Sequence, residues 1–93
     1  MKTTVVNRKY EKFDVYIGRG SIWGNPFIIN VHGDRNAVIS NYKERFVKLR
    51  KDGFITDTEL LALEGKRLGC YCAPLACHGD VLVEAINEIH STR

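Results

Sequence analysis

The sequence has no apolar run near the ~20 residues that a membrane-spanning helix needs, and no apolar stretch of signal-peptide length follows its first residues. Its three cysteines cannot all pair within one chain, so we expect free thiols in a reducing cytoplasm and no disulfide framework. Internal repeats and low-complexity segments are also missing. These absences predict a cytoplasmic globular protein with no membrane partner.

At 93 residues the chain is too short for a second core, which predicts one domain spanning residues 1–93. Hydrophobic residues make up 44% and charged residues 27%, an ordinary globular balance. An active site would therefore lie at an edge or face of one modest core.

Acidic residues are scarce in the middle of the chain. Between Arg35 and Lys51 there are six basic residues and a single acid, Glu44, although the formal net charge of the whole chain is only +3. We expect Lys43, Lys48 and Lys51 to contact nucleic-acid phosphates, and a solvated helix face is the alternative.

Hydrophobic periodicity predicts six elements. Strands are expected from Thr3 to Asn7 and from Phe13 to Gly18, with Phe13, Val15 and Ile17 on one face. Asp34 is a predicted N-cap for a helix that ends at Gly53. Its core positions are Val38, Tyr42, Phe46 and Leu49.

Thr56 and Glu59 have the spacing of a capping box, which predicts a short helix ending near Gly65. A strand from Lys66 to Cys72 and a helix beginning at Gly79 or Asp80 follow, with the final helix placing Leu82, Ala85, Ile86 and Ile89 in the core. The order β-β-α-α-β-α predicts a small α/β sandwich: a short mixed or mostly parallel sheet with helices packed on it.

All the cysteines fall beside a histidine in nine residues: Cys70, Cys72, Cys77 and His78. The segment is a predicted strand end, a loop and a helix N-terminus, where backbone N–H groups and the helix dipole favour an anion or a thiolate. We therefore expect a lowered pKa for Cys77 and a catalytic group made of Cys77, His78 and Asp80.

Four interpretations of this cluster stay open. The four side chains are candidate ligands for zinc or another divalent metal; Cys77 is a candidate nucleophile; Gly79 N–H and Arg19 are candidate anion contacts; or the cysteines are structural strand residues. The spacing C-x-C-x4-C-H matches no standard zinc motif, which favours the anion and structural interpretations.

A glycine-rich loop from Gly18 to Pro26 offers the second half of a site. The Arg19 guanidinium can bind phosphate through two parallel N–H groups, and Ser21 supplies a hydroxyl. Trp23 supplies a stacking ring and Asn25 supplies an amide. Together they suit a nucleotide. The alternatives are that Trp23 is a core anchor and that a carboxylate such as Asp80 pairs with Arg19.

The two segments YIGRGSIWGNPF and CYCAPLACHGD resemble the boxes of a small family, domain of unknown function 4326, common in phage and bacterial genomes. The resemblance covers nearly the whole chain; the family pattern often has Trp at position 71 and Pro at position 76. It implies a phage-type setting and one site shared by both boxes. It supports as site residues Arg19, Ser21, Trp23, Asn25, Cys72, Cys77, His78 and Asp80, without assigning roles.

The leading hypothesis is a protein that engages nucleic acid, most directly DNA, and nicks or cleaves it at damaged or abasic nucleotides. The pocket would be built from the Arg19–Pro26 loop and the Cys70–Asp80 segment. Arg19 would stabilise the phosphate charge, and Trp23 would stack in the gap at the damaged or abasic nucleotide. His78 would act as acid or base, and Asp80 would orient it or bind metal.

Two other classes fit the same residues. One is a nucleotide-binding or N-glycoside-cleaving enzyme that acts on free nucleotides at a strand end. The other is a non-enzymatic adaptor or inhibitor of a host protein, in which the Cys/His cluster is structural or zinc-bound.

Overall fold

The protein is described from a computed structural model over residues 2–72, 75 and 77–91. Three strands and three helices follow in the predicted order, which confirms the α/β class. The elements are β1 (Thr4–Asn7), β2 (Val15–Tyr16), α1 (Arg35–Lys51), α2 (Asp57–Leu61), β3 (Arg67–Cys70) and α3 (Gly79–Ser91).

The strands form one parallel sheet in the order β1-β3-β2. On one side of β3, Val5 pairs with Leu68, and on the other side Val15 pairs with the same residue. Because all three strands run the same way, their carboxyl ends lie at one edge of the sheet. Loops that leave this edge are the usual builders of ligand sites in parallel α/β sheets.

One hydrophobic core joins the sheet to the helices. Leu68 at the centre of β3 is fully buried, as are Leu60 of α2 and Leu82 of α3, while α1 contributes Tyr42 and Phe46 to the same cluster. The spacing of the buried positions on α1 and α3 agrees with the predicted helical periodicity. Burial of these side chains orients the N-termini of α1 and α3 relative to the carboxyl edge of the sheet.

The predicted second strand was too long and its face assignment was wrong at one position. Only Val15–Tyr16 is strand, and Phe13 is 36% exposed with its side chain against Gly69. Because strand side chains alternate, Gly69 faces away from its buried neighbour Leu68. Glycine leaves room there, so Phe13 covers the face of the sheet opposite Ile17.

Other boundaries differ by a few residues. Strand β3 ends at Cys70 because the chain turns out of the ladder at Tyr71, and α2 ends at Leu61 where tight turns replace the helical hydrogen bonds. Among the described residues no helix is long and apolar enough to cross a membrane.

The predicted starts of α1 and α2 are confirmed in atomic detail. The Asp34 carboxylate accepts from Ala37 N–H at 2.8 Å, and α1 ends before Gly53, whose φ of +84° favours glycine. At α2, Thr56 Oγ1 accepts from Glu59 N–H at 3.2 Å while Glu59 accepts from Thr56 N–H at 3.1 Å. This reciprocal pair is the predicted capping box.

The cap generates a stability prediction. Thr56→Ala removes the acceptor for Glu59 N–H and is expected to lower the free energy of unfolding by about 1 kcal/mol in urea denaturation. Thr58→Ala is the matched control, because it makes the same substitution at an exposed position inside α2. Equal unfolding midpoints for the two variants would contradict the role of the cap.

Candidate functional site

A cleft of about 510 Å³ lies where the two sequence boxes meet. Its lining residues come from the end of β2 and the following loop, from the end of β3, from the entry to α3 and from the first turns of α1. They include Tyr16, Gly18, Arg19, Asn25, Phe27, Ile28, Ile29, Arg35, Val38, Ile39, Cys70, Tyr71, Cys72, Cys77 and His78. The carboxyl edge of the sheet therefore carries a cavity within the size range of small-molecule sites.

Arg19 lies at this cleft with an exposed side chain. Within residues 2–72, 75 and 77–91 its guanidinium has no ion pair or hydrogen bond. Asp80, the carboxylate considered as its partner, accepts instead from Cys77 N–H at 3.2 Å. Arg35 also lines the cleft, and the described lining contains no Asp or Glu. Arg19 is thus a cleft cation without a carboxylate partner among the described residues.

The glycine-rich loop is held by its own polar side chains. Ser21 Oγ donates to the Gly18 carbonyl at 2.7 Å, which closes a turn. Asn25 Nδ2 donates to the Val38 carbonyl at 3.2 Å, and Asn25 Oδ1 accepts from Phe27 N–H at 2.9 Å. Asn25 therefore ties the loop to α1 while it lines the cleft, whereas Ser21 lies outside the lining.

Trp23 is a core residue, as the alternative interpretation had it. Only 6% of it is exposed, it packs in the main cluster, and its carbonyl accepts from Tyr42 Oη at 2.9 Å. Its ring lies outside the cleft lining. Among the described lining residues the aromatic rings, apart from the His78 imidazole, are those of Tyr16, Phe27 and Tyr71, which no sequence motif indicated as site residues.

His78 is the most constrained polar side chain of the cleft. Its Nε2 lies 2.6 Å from the Ile17 carbonyl, and because a carbonyl only accepts, Nε2 carries the proton. The imidazole also makes an edge-to-face contact with the Tyr42 ring, with 5.0 Å between centroids, and this contact fixes the plane of the imidazole. Among the described residues Nδ1 has no hydrogen-bond partner, and Asp80 makes no hydrogen bond to the ring. Nδ1 is thus the atom that His78 can offer to a ligand.

Cys70 and Cys77 form a buried thiol pair with their sulfurs 3.4 Å apart. The hydrogen bond to Cys70, followed by burial, raises the pKa of the Cys77 thiol, which outweighs the lowering by Gly79 N–H. The expected lowering of this pKa was therefore wrong. A helix N-terminus stabilises a thiolate only when the sulfur is not at the same time desolvated beside a second thiol.

The same contacts cap α3. Cys77 Sγ accepts from Gly79 N–H at 3.3 Å while the Asp80 carboxylate accepts from Cys77 N–H, so both side chains satisfy backbone donors at the start of α3. A side chain at Gly79 would meet Ile17 and Val5 at under 3 Å, so the glycine permits close packing of the helix on the sheet. Gly79 and Asp80 lie outside the cleft lining.

The basic helix face is separate from the cleft. Lys43 pairs with Glu84 at 3.4 Å on the surface. Since a helix rises about 1.5 Å per residue, Lys48 and Lys51 lie roughly 14 and 18 Å beyond Ile39, the last cleft residue of α1. All three lysines are exposed, and none lines the cleft.

A family model described as "Domain of unknown function (DUF4326)" matches residues 2–88. The chain belongs to the DUF4326 family. It is 42% identical over 85 residues to a protein of Enterobacteria phage T4 described as "Uncharacterized 12.4 kDa protein in nrdA-td intergenic region", which covers 91% of this chain and 78% of that protein. No solved structure matches the chain. The predicted family and phage-type character are confirmed.

The predicted zinc site of this DUF4326 domain stays a prediction. Within the described ranges no group of three or more His, Cys, Asp or Glu side chains is arranged to hold a metal ion. Cys70 and Cys77 are close enough to share an ion, but His78 Nε2 is engaged by Ile17. Elemental analysis of the purified protein and of Cys77→Ala tests the site directly.

Thiol chemistry provides a sharper prediction. Iodoacetamide at pH 8 should modify Cys72, which is half-buried, well before Cys70 and Cys77, because the buried pair shares a hydrogen bond that raises the pKa of Cys77. Peptide mass spectrometry with time distinguishes the three sites, and Cys72→Ser should abolish the fast phase. Urea provides the control by making all three react alike. Fast alkylation of Cys77 in the native protein would contradict the structure.

Proposed function

We propose that the cleft of this DUF4326 domain binds a nucleotide, with Arg19 as the contact for its phosphate. The observation that carries the proposal is Arg19: its guanidinium lines the cleft without an ion pair to any described residue, and the described lining contains no carboxylate. An isolated arginine at a strand end attracts an anion with oxygens that can take both of its parallel N–H groups. Phosphate oxygens match the geometry of this pair of donors.

The rest of the lining narrows the ligand. A cavity of about 510 Å³ accommodates one nucleotide and is within the usual range for small-molecule pockets. Ile28, Ile29 and Val38 make much of its wall apolar, whereas Arg19 and His78 offer directed polar contacts. A ligand with a charged end and a flat apolar end matches this division better than a free inorganic anion.

Binding is the function proposed, and catalysis is not part of it. His78 Nδ1 is the best-placed atom for proton exchange with a ligand. Glycosidic bonds are ordinarily cleaved with a pair of Asp or Glu side chains, and the described lining has neither. N-glycoside cleavage stays a prediction, which release of free base from nucleotides by the wild type but not by His78→Gln would support.

The nucleic-acid hypothesis uses the same pocket and adds two requirements. It needs Trp23 as a stacking ring and the basic face of α1 on the phosphate backbone, whereas Trp23 is buried and Lys48 and Lys51 lie far from the cleft. The exposed basic face of α1 still suits a phosphate backbone, so cleavage of damaged DNA stays untested, as does the role of an adaptor or inhibitor of a host protein. The cleft supports the free-nucleotide alternative more directly.

Arg19→Gln tests the proposal. In isothermal titration of the four ribonucleoside 5′-monophosphates, the wild type should bind at least one, and the variant should bind it roughly tenfold or more weakly, because a charge-assisted phosphate contact is lost. Arg45→Gln is the matched control, because it removes the same charge from an exposed position of α1 outside the cleft. An equal loss in both variants would reduce the effect to net charge.

Salt distinguishes a single nucleotide from a polymer. The affinity for a mononucleotide should depend only weakly on salt, whereas contacts with several phosphates produce a steep decrease. If a 12-nucleotide single strand binds more tightly than every mononucleotide and does so with a steep salt dependence that Lys48→Gln reduces, the proposed function is wrong and the nucleic-acid hypothesis is favoured.

A further inference from the structure

The Arg8 guanidinium lies among three aromatic rings beside the cleft. Its guanidinium carbon lies 4.7 Å from the ring centroid of Tyr16, 5.2 Å from that of Tyr71 and 5.4 Å from that of Phe13. These distances are those of cation–π contacts. Two of the three rings, those of Tyr16 and Tyr71, also line the cleft. One side of the cleft wall is therefore an aromatic surface supported by a cation.

Tyr71 is 61% exposed, yet its surroundings are ordered. Arg8 N–H donates to the Cys70 carbonyl at 2.8 Å, which extends the pairing of β1 with β3 by one residue. Asn7 Nδ2 donates to the Tyr71 carbonyl at 3.2 Å. The peptides before and after Tyr71 each accept a hydrogen bond through their carbonyl, and a cation lies at the Tyr71 ring, so a side chain that would otherwise be mobile is preorganised.

We infer that Tyr71 is the stacking platform for the nucleobase of the bound nucleotide, with Arg8 as the positioning residue behind it. This inference rests on the proposed nucleotide-binding function and adds to it the orientation of the ligand: phosphate at Arg19 and base at Tyr71. An exposed, preorganised ring beside a cationic cleft offers a flat π-face that any nucleobase can cover. The site consequently selects nucleotides over sugar phosphates by stacking.

The experiment compares adenosine 5′-monophosphate with ribose 5-phosphate, which keeps the phosphate and lacks the base. The wild type should bind the nucleotide roughly tenfold more tightly, since base–aromatic stacking has that magnitude. Tyr71→Leu should remove this preference by weakening the nucleotide alone, and Tyr71→Phe should keep it. Because Tyr71 is exposed, both variants should fold.

Tyr10→Leu is the matched control. Tyr10 is also an exposed tyrosine beside a cation, Lys9, but it lies outside the cleft. It should leave both affinities unchanged. The adenine H2 and H8 proton resonances provide a direct readout: ring currents should shift them upfield in the wild type and in Tyr71→Phe, and not in Tyr71→Leu.

Arg8→Gln separates positioning from direct phosphate contact. If Arg8 orders Tyr71, the variant should weaken the nucleotide several-fold and leave ribose 5-phosphate unchanged. Equal weakening of both ligands would make Arg8 a phosphate contact and overturn its assigned role.

The two proposals fail in different ways. Equal affinity of the wild type for the two ligands, with both dependent on Arg19, would overturn stacking at Tyr71 and leave the anion site in place. If neither ribose 5-phosphate nor any of the four ribonucleoside 5′-monophosphates binds, the proposed function fails and this inference fails with it.

Discussion

The hydrogen bond between His78 Nε2 and the Ile17 carbonyl is the contact on which the arrangement of the cleft depends. It joins the residue that follows β2 to the residue that precedes α3, two positions 61 apart in sequence. A buried imidazole without a partner would be costly, so this bond and the neighbouring Tyr42 ring determine how the two boxes approach each other. Tyr42 also binds the Trp23 carbonyl, which brings the glycine-rich loop into the same network.

Around that contact, residues that look chemical in sequence divide into two groups. Ser21, Trp23 and Asn25 hold the loop against itself, the core and α1, and Cys77 with Asp80 caps α3. Arg19, His78 Nδ1 and the tyrosine rings are what the cleft presents to a ligand. A specific loop conformation needs its own polar contacts. The structural residues therefore hold the ligand-facing residues in position.

Sequence reasoning recovered what local physics determines. The N-cap at Asp34, the capping box at Thr56 and the core periodicity of α1 and α3 each depend on residues within a few positions of one another, and all are present. The meeting of the two boxes at one cleft followed from their places at strand ends and from the family resemblance. The face of Phe13 was missed because it depends on the empty space above Gly69, a contact across strands that no local pattern contains.

Some site residues were missed for the same reason, because their roles depend on contacts between segments that are distant in sequence. Tyr16 and Tyr71 stand inside the two boxes, but their role at the cleft wall appears only when parallel pairing places the carboxyl ends of β2 and β3 side by side. Arg8 has no motif at all. The three rings around it come from segments up to 63 residues away, so no local pattern could indicate it.

The thiol pair and the guanidinium groups make one electrostatic unit. Cys77 lines the same cleft as Arg19, and its raised pKa keeps it protonated, so no thiolate offsets the positive charge of the lining. A bound anion would in turn disfavour ionisation of Cys77, because like charges near one another raise the pKa of an acid. By linkage, an anion binds the neutral-thiol form more tightly than the thiolate form. A neutral sulfur pair is therefore compatible with the proposed anion site, whereas the activated thiolate expected from sequence would have opposed it.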